Sequence, residues 1–96
     1  MIITEKYYPV VVKASVGENY TVLAQFSDGT IHKYNMKGLI DKGGVFAPLK
    51  NPELFKDTLT VMNQTVAWDL SGNGDPKDCI DVDPLVVYAS EIVGTV

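Results

Sequence analysis

The stretch of the chain richest in groups that could do chemistry is AWDLSGNGDPKDCIDVDP, residues 67–84. It contains five aspartates, two glycines, two prolines and the only cysteine of the chain. Its first half has the ligand spacing of a helix–loop–helix calcium loop, with Asp69, Ser71 and Asn73 two residues apart and Gly74 at the sharp turn. A cation site is therefore the first hypothesis to weigh.

The second half of this stretch does not continue the calcium pattern. Lys77 stands at position nine of the loop and Ile80 at position twelve, where the pattern requires a bidentate glutamate. A looser cation site formed by Asp75, Asp78 and Asp81 is an alternative, because clustered carboxylates repel one another unless something neutralises them. The favoured interpretation is a long turn whose Asp, Asn and Ser side chains bond their own backbone, so no metal is expected.

Catalytic arrangements have little support in the sequence. Cys79 and His32 are the only residues of their types, so they are the only candidates for a thiol–imidazole dyad. His32 falls in a predicted strand, Cys79 is followed by the apolar Ile80, and no glycine-rich oxyanion loop precedes the cysteine. The paired glycines at 43–44 lack the spacing and the lysine of a phosphate-binding loop. The sequence therefore predicts a protein that is not an enzyme and that uses no cofactor.

The charge of the chain is mildly acidic and unevenly distributed. There are eight lysines, no arginine and twelve acidic residues, for a formal net charge of −4. Residues 1–48 contain five lysines and four acidic residues, whereas residues 49–96 contain three lysines and eight acidic residues. Because arginine provides the usual contacts to bases and phosphates, direct binding of nucleic acid is not expected. The acidic half instead suits a basic protein surface.

The single cysteine and the N-terminal residues bear on where the protein works. One cysteine cannot form an internal disulfide, so nothing indicates an oxidising compartment. Residues 1–15 contain only a short apolar run, interrupted at Pro9, which is too short for a signal peptide or a membrane span. We expect a cytoplasmic protein that makes no membrane contact.

Alternating apolar and polar residues predict three strands in the first third of the chain, near residues 9–15, 20–26 and 30–35. The pair Asp28-Gly29 predicts the tight turn of the second hairpin, because glycine adopts a positive φ without a Cβ clash. We expect these strands to form an antiparallel meander, in which each strand pairs with the next.

Two proline-containing pairs predict helix starts further along the chain. Asn51-Pro52 and Asp83-Pro84 each combine a capping side chain with a proline that the first helical turn tolerates. The first helix must be short, since strand character resumes near Thr58 with a hairpin turning at Asn63-Gln64. The second start predicts a closing helix over residues 85–94.

These elements predict one domain, residues 1–96, of the α+β class. We expect an antiparallel sheet made from the N-terminal three-stranded meander and the second hairpin as one twisted sheet, with short helices packed on one face. Trp68, the only tryptophan, should be buried against the helical segment FAPL or PELF. Phe46, Phe55, Trp68 and Tyr88 are the candidate lining of a ligand or partner pocket between the sheet and the helices.

Three ordered stretches carry a family resemblance: VLAQFSDGTIHKYNMKGLI, GGVFAPLKNPELF and VAWDLSGNGDPKDCIDVDPLVVY. In this order and spacing, over about residues 8–90, they resemble the small bacterial family called domain of unknown function 2442. The resemblance implies that residues 69–78 are a loop extension, while Asp81 and Pro84 shape the turn that docks Leu85 and Tyr88. It also implies partner binding, since some members look like the antitoxin-side component of small two-protein toxin–antitoxin operons.

Two functional hypotheses follow from these observations. The first is a non-catalytic protein-interaction domain, an antitoxin-like partner of a small basic protein from the same operon, with self-association as the other candidate for the partner. The alternative is a small-ligand binding module with an aromatic-lined pocket between the sheet and the helices.

Overall fold

Short antiparallel strands and short helices make up the fold. The computed structural model describes residues 9–96. The strands in these residues are β1 (Val11–Val16), β2 (Thr21–Phe26), β3 (Thr30–Asn35), β4 (Leu59–Met62), β5 (Thr65–Trp68), β6 (Ile80–Asp81) and β7 (Glu91–Thr95). The helices are α1 (Lys37–Lys42), a 3₁₀ helix (Gly44–Lys50), α2 (Pro52–Asp57) and α3 (Pro84–Tyr88). The predicted α+β fold, with an N-terminal meander, a second hairpin and short helices, is confirmed.

Strands β1, β2 and β3 form the predicted meander, and β7 adds a fourth strand to it. The sheet order is β1-β2-β3-β7, and all neighbouring strands are antiparallel. The turn between β2 and β3 contains Asp28-Gly29, where Gly29 has a φ of 90° and its N–H donates to the Phe26 carbonyl at 2.9 Å. Asp28 Oδ1 accepts hydrogen bonds from both the N–H and the hydroxyl of Thr30. The predicted turn is therefore confirmed.

One face of this four-stranded sheet contributes to the core. Val22, Ala24 and Phe26 alternate along β2 and are fully buried, as a strand with one covered face requires. His32 shares this face, because the register places it opposite Ala24. The other buried apolar residues come from the rest of the described chain: Val11, Met36, Ile40, Leu49, Phe55, Val66, Ala67, Trp68, Val82 and Val87.

The second hairpin forms a sheet of its own, which corrects the expectation of one continuous sheet. β4 pairs with β5 through the predicted turn Asn63-Gln64, in which the φ angles are 55° and 63°, and β6 pairs with the other side of β5. The two sheets meet where the Val11 N–H donates to the Gln64 carbonyl at 3.0 Å. A bulge lies between Val11 and Lys13 at this point, and a bulge interrupts regular ladder pairing.

Both predicted helix starts are confirmed by side-chain caps. Asn51 Oδ1 accepts hydrogen bonds from the N–H groups of Glu53 at 2.9 Å and Leu54 at 3.4 Å. Asp83 Oδ1 accepts one from the Leu85 N–H at 2.9 Å. A proline follows each cap as the first helical residue. In the described part of the chain, every helix lacks the length and apolar character needed to cross a membrane.

The closing helix is shorter than predicted. α3 ends at Tyr88, and residues 91–95 form β7 instead of continuing the helix. Ile92 and Val93 are β-branched, which lowers their preference for helix and raises it for strand. The edge of β3 provides a pairing partner for these residues, so that the tertiary context selects the strand.

Candidate functional site

Trp68 anchors the aromatic part of the core. Its side chain is fully buried, and its Nε1–H donates to the Phe55 carbonyl at 2.9 Å. The Trp68 and Phe55 rings are in contact, with centroids 5.3 Å apart. Phe55 belongs to the segment PELF, so the prediction that Trp68 is buried against this part of the chain is confirmed.

Tyr20 joins this group, although the sequence analysis did not single it out. Its ring meets Phe55 edge-on at 5.2 Å, and its hydroxyl donates to the Lys50 carbonyl. Tyr20 has a φ of 64°, which is uncommon for a bulky residue and which no local sequence signal indicated. Tyr20 and Phe55 line a surface recess of about 370 Å³ together with Val16, Gly17, Asn19, Pro52 and Lys56.

The four predicted pocket aromatics occupy different parts of the molecule. Phe55 lines the recess beside Tyr20, whereas Trp68 lines another of about 230 Å³ beside the aspartate-rich loop. Phe46 is half-buried against the main core. Tyr88 belongs to a separate aromatic group on β3 and α3. The small-ligand hypothesis stays a prediction, and the recess beside Tyr20 is the place where it could be tested.

His32 is a buried structural residue at the centre of that separate aromatic group. Its Nδ1 lies 3.0 Å from the Ser90 carbonyl oxygen, and its Nε2 lies 3.0 Å from the Thr30 hydroxyl. The ring packs against Phe26 and Tyr88, with centroid distances of 5.0 and 4.8 Å. The Nδ1 contact therefore ties β3 to the segment between α3 and β7, whereas the Nε2 contact stays within β3.

Cys79 lies in the aspartate-rich loop, where its surroundings disfavour the thiolate. It is half-buried, and its thiol donates to the Pro76 carbonyl at 3.5 Å. Partial burial, followed by the negative charges of four loop aspartates with Asp81 first, raises the pKa of the Cys79 thiol. A raised pKa reduces the nucleophilic form. Cys79 and His32 thus have different polar partners and do not make the catalytic pair that the sequence left open.

The loop is held together by its own hydrogen bonds. The Asp69 carboxylate accepts them from the N–H groups of Gly72 at 3.1 Å and Gly74 at 2.9 Å. Asp78 Oδ2 accepts two more at 3.1 Å, from a hydroxyl and an amide side chain of the loop. Within residues 9–96 there is no cluster of three or more His, Cys, Asp or Glu side chains that could hold a metal ion. The turn interpretation of the loop is confirmed by these bonds.

The largest concentration of exposed aliphatic side chains lies near the end of the chain. These side chains, named here the α3–β7 surface, are Leu85, Val86, Ile92, Val93 and Val96. They account for five of the nine large apolar side chains that are exposed in residues 9–96. Ile92 lies opposite His32, and His32 packs against Tyr88 of α3, so Ile92 and α3 share one side of the sheet. Scattered exposed aliphatics are normal, but a cluster of them is typical of an interaction site.

Sequence analysis did not find this surface, because it predicted a helix over residues 85–94. In such a helix Leu85, Ile92 and Val93 would share one face, which would be expected to pack against the core and not to face solvent. The signal that favours the strand is the pair of β-branched residues Ile92 and Val93 next to Gly94. These residues select a strand over a helix because β3 has an open edge with which they can pair.

Two acidic residues, Asp83 and Glu91, belong to the elements that form the α3–β7 surface. Residues 78–96 contain four acidic residues and no basic residue. Asp83 caps α3, and Glu91 is the first residue of β7. Lys33 lies opposite Glu91 on the neighbouring strand. The surface therefore combines an aliphatic centre with a margin that is negative overall.

Comparison of this chain with protein-family models, with curated proteins and with solved structures found no match. The resemblance to domain of unknown function 2442 therefore stays a prediction from the three sequence stretches. Function is inferred below from the residues and contacts themselves.

Proposed function

We propose that this chain is a non-catalytic protein-interaction domain whose α3–β7 surface binds a small basic protein. The observation that carries the proposal is that the exposed Ile92 lies on the side of the sheet that α3 covers, where Leu85 and Val86 are also exposed. Leu85 and Ile92 are each more than half exposed, which costs solvation free energy in the isolated chain. Protein–protein interfaces usually bury apolar side chains at their centre and have polar residues around the edge.

The charge of the margin indicates which kind of partner is favoured. Residues 78–96 offer carboxylates without any lysine or arginine, so a partner with basic residues around an apolar centre would be complementary. A second copy of this chain would bring the same excess of carboxylates to the contact, with Lys33, opposite Glu91, as the nearby cation in each copy. A basic protein is for this reason favoured over self-association.

The non-catalytic part of the proposal is supported by the two residues that could have formed a nucleophilic site. His32 directs both ring nitrogens at structural partners, and the raised pKa of Cys79 disfavours its thiolate. The antitoxin-like role implied by the family resemblance belongs to the same proposal, with the basic partner encoded in a neighbouring gene. The proposed setting is the cytoplasm, without direct contact to nucleic acid or membrane.

Co-expression with the products of the neighbouring genes, among which the proposal expects a small basic protein, tests the proposal. We expect a stoichiometric complex that weakens as salt is raised, because exposed charges are screened. Ile92→Asp should abolish copurification by placing a charge in the aliphatic centre. Val45→Asp is the matched control, since Val45 is 70% exposed on the 3₁₀ helix, away from α3 and β7 in the chain.

Melting curves of the two variants show whether each is folded before binding is compared. A wild-type chain that purifies alone from cells expressing both proteins would contradict the proposal. An Ile92→Asp variant that binds as well as Val45→Asp would show that the α3–β7 surface is not the binding site.

A further inference from the structure

The open edge of β7 indicates how a partner would be held. We propose that the basic partner contributes an extended strand that pairs with β7 and adds a fifth strand to the sheet. This inference rests on the proposed function, and it specifies the backbone contact by which the α3–β7 surface would act. Strand addition at a free sheet edge is a recurrent mode of protein recognition, in which main-chain hydrogen bonds provide affinity and side chains provide specificity.

The two edges of the four-stranded sheet differ. At one edge, β1 meets the second sheet, where the Val11 N–H donates to the Gln64 carbonyl at 3.0 Å. At the other edge, β7 pairs with β3 on one side and has no neighbouring strand on its other side within residues 9–96. The β7 edge is therefore the one at which the described sheet can grow.

Register and hydrogen bonding identify the backbone groups that face outward. The Val96 N–H donates to the Gly29 carbonyl at 2.7 Å, and Thr95 lies opposite Thr30. In an antiparallel ladder, residues alternate between pairs that exchange hydrogen bonds and pairs that do not. Thr95 and Thr30 form a pair that does not exchange hydrogen bonds, so the N–H and C=O of Thr95 point away from β3. The Thr30 N–H agrees with this alternation, because it turns away from β7 to donate to Asp28 Oδ1.

The sequence of β7 carries few of the features that block edge pairing. Edge strands are commonly protected by lysine, by proline or by bulges, and β7 contains neither lysine nor proline. Its one irregularity is a bulge at Val93, the extra residue that β7 inserts between the pairs Ile31–Gly94 and His32–Ile92, and pairing on the Thr95 side of this bulge is regular. Glu91, at the start of β7, is the only charged residue of the strand.

These features define the chemistry of the added strand. Ile92 and Thr95 lie opposite His32 and Thr30, so both are on the side of the sheet that α3 covers. Aliphatic side chains of the partner strand on this side would contact Ile92 and the exposed residues of α3. A lysine or arginine at the end of the partner strand nearest Glu91 would match its charge.

A synthetic peptide of sequence Lys-Val-Thr-Val-Thr-Val-Lys is the probe, compared with the same peptide N-methylated at its central residues. N-methylation removes backbone donors while it preserves charge and side chains, and the protein is unchanged. We expect N-methylation to weaken binding at least about tenfold, because each lost main-chain hydrogen bond lowers the binding free energy.

Binding of the unmodified peptide should also slow hydrogen exchange at the Thr95 amide. Thr95→Pro, which removes this outward donor, should lose binding, whereas Thr95→Val should keep it.

The outcomes separate this inference from the proposed function. Equal binding of both peptides, or unchanged exchange at Thr95, would overturn strand addition. If the basic protein still copurifies with Thr95→Pro as well as with Thr95→Val, strand addition is wrong and the proposed function stands. If neither the peptide nor the basic protein binds the wild-type chain, both proposals are wrong.

Discussion

Individual side chains in this protein hold the core together through a few polar contacts between distant segments. The Trp68 indole bonds the Phe55 carbonyl, and the Tyr20 hydroxyl bonds the Lys50 carbonyl. His32 links β3 to the segment between α3 and β7 through the Ser90 carbonyl. Each contact joins elements that are separated in the sequence, and the buried Trp68 Nε1–H is satisfied by the Phe55 carbonyl.

Trp68→Ala should lower the free energy of unfolding by about 3–5 kcal/mol, because it empties the centre of a small core. This loss is comparable to the whole stability of many domains of this size. Trp68→Phe is the matched variant, since it keeps a ring and loses the hydrogen bond to Phe55, and it should cost less. Urea unfolding measures both. An indole emission maximum typical of water in the native protein would contradict the burial of Trp68.

Gly29→Val should destabilise the meander by about 1 kcal/mol or more, because Gly29 has a φ of 90° that a β-branched residue adopts only with strain. Gly38→Ala is the control: Gly38 lies in α1, and an added Cβ there would meet nothing within 4 Å. We expect this control to be neutral or slightly stabilising. Thermal unfolding compares the two, and equal destabilisation would show that the φ of Gly29 is not the cause.

Alkylation of Cys79 tests its electrostatic surroundings. The raised pKa of the thiol means that less thiolate is present at neutral pH than in an unperturbed cysteine, so iodoacetamide should react slowly. The rate should increase as pH rises toward the pKa. Asp81→Asn removes the largest of the charge contributions and should lower the pKa, which speeds alkylation at a given pH. An unchanged pH profile in this variant would contradict the proposed cause.

At the scale of secondary-structure elements, the sequence was informative wherever the signal was local. Asp28-Gly29, Asn51 and Asp83 act on backbone groups within a few residues, so the turn and both helix caps could be predicted. The strand β7 could not be predicted, because its stability comes from pairing with β3, about sixty residues earlier in the chain. The separation of the second hairpin into its own sheet likewise depends on a bulge in β1. Consequently, the α3–β7 surface could not be predicted either.

The aspartate-rich loop should bind no divalent cation specifically. Its Asp69 carboxylate already accepts hydrogen bonds from the N–H groups of Gly72 and Gly74, which hold the loop without an ion. Calorimetric titration with calcium, magnesium and manganese measures this directly. We expect no saturable binding tighter than about 10 μM. Tighter binding, with a matching rise in melting temperature, would contradict the prediction and make Asp69, Asn73, Asp75 and Asp78 the ligands to mutate.

At the scale of the whole molecule, the distribution of charge and exposed apolar surface favours one end of the chain for interaction. The acidic residues are concentrated after residue 48, and the exposed aliphatics are concentrated after residue 84. The Tyr20–Phe55 recess and the Trp68 recess lie in other elements. A partner on the α3–β7 surface would therefore leave both recesses, and the core contacts of Trp68, unchanged.

Hydrogen–deuterium exchange of the full chain, with and without the small basic protein that the proposal expects from a neighbouring gene, tests the central claim most directly. The account predicts that binding slows exchange in residues 85–96, with the Thr95 amide among the most affected. Exchange in residues 37–57, which contain α1, the 3₁₀ helix and α2, should remain the same and serves as the internal control. Protection confined to residues 37–57, or no protection anywhere at saturating partner, would contradict the assignment of the α3–β7 surface as the binding site.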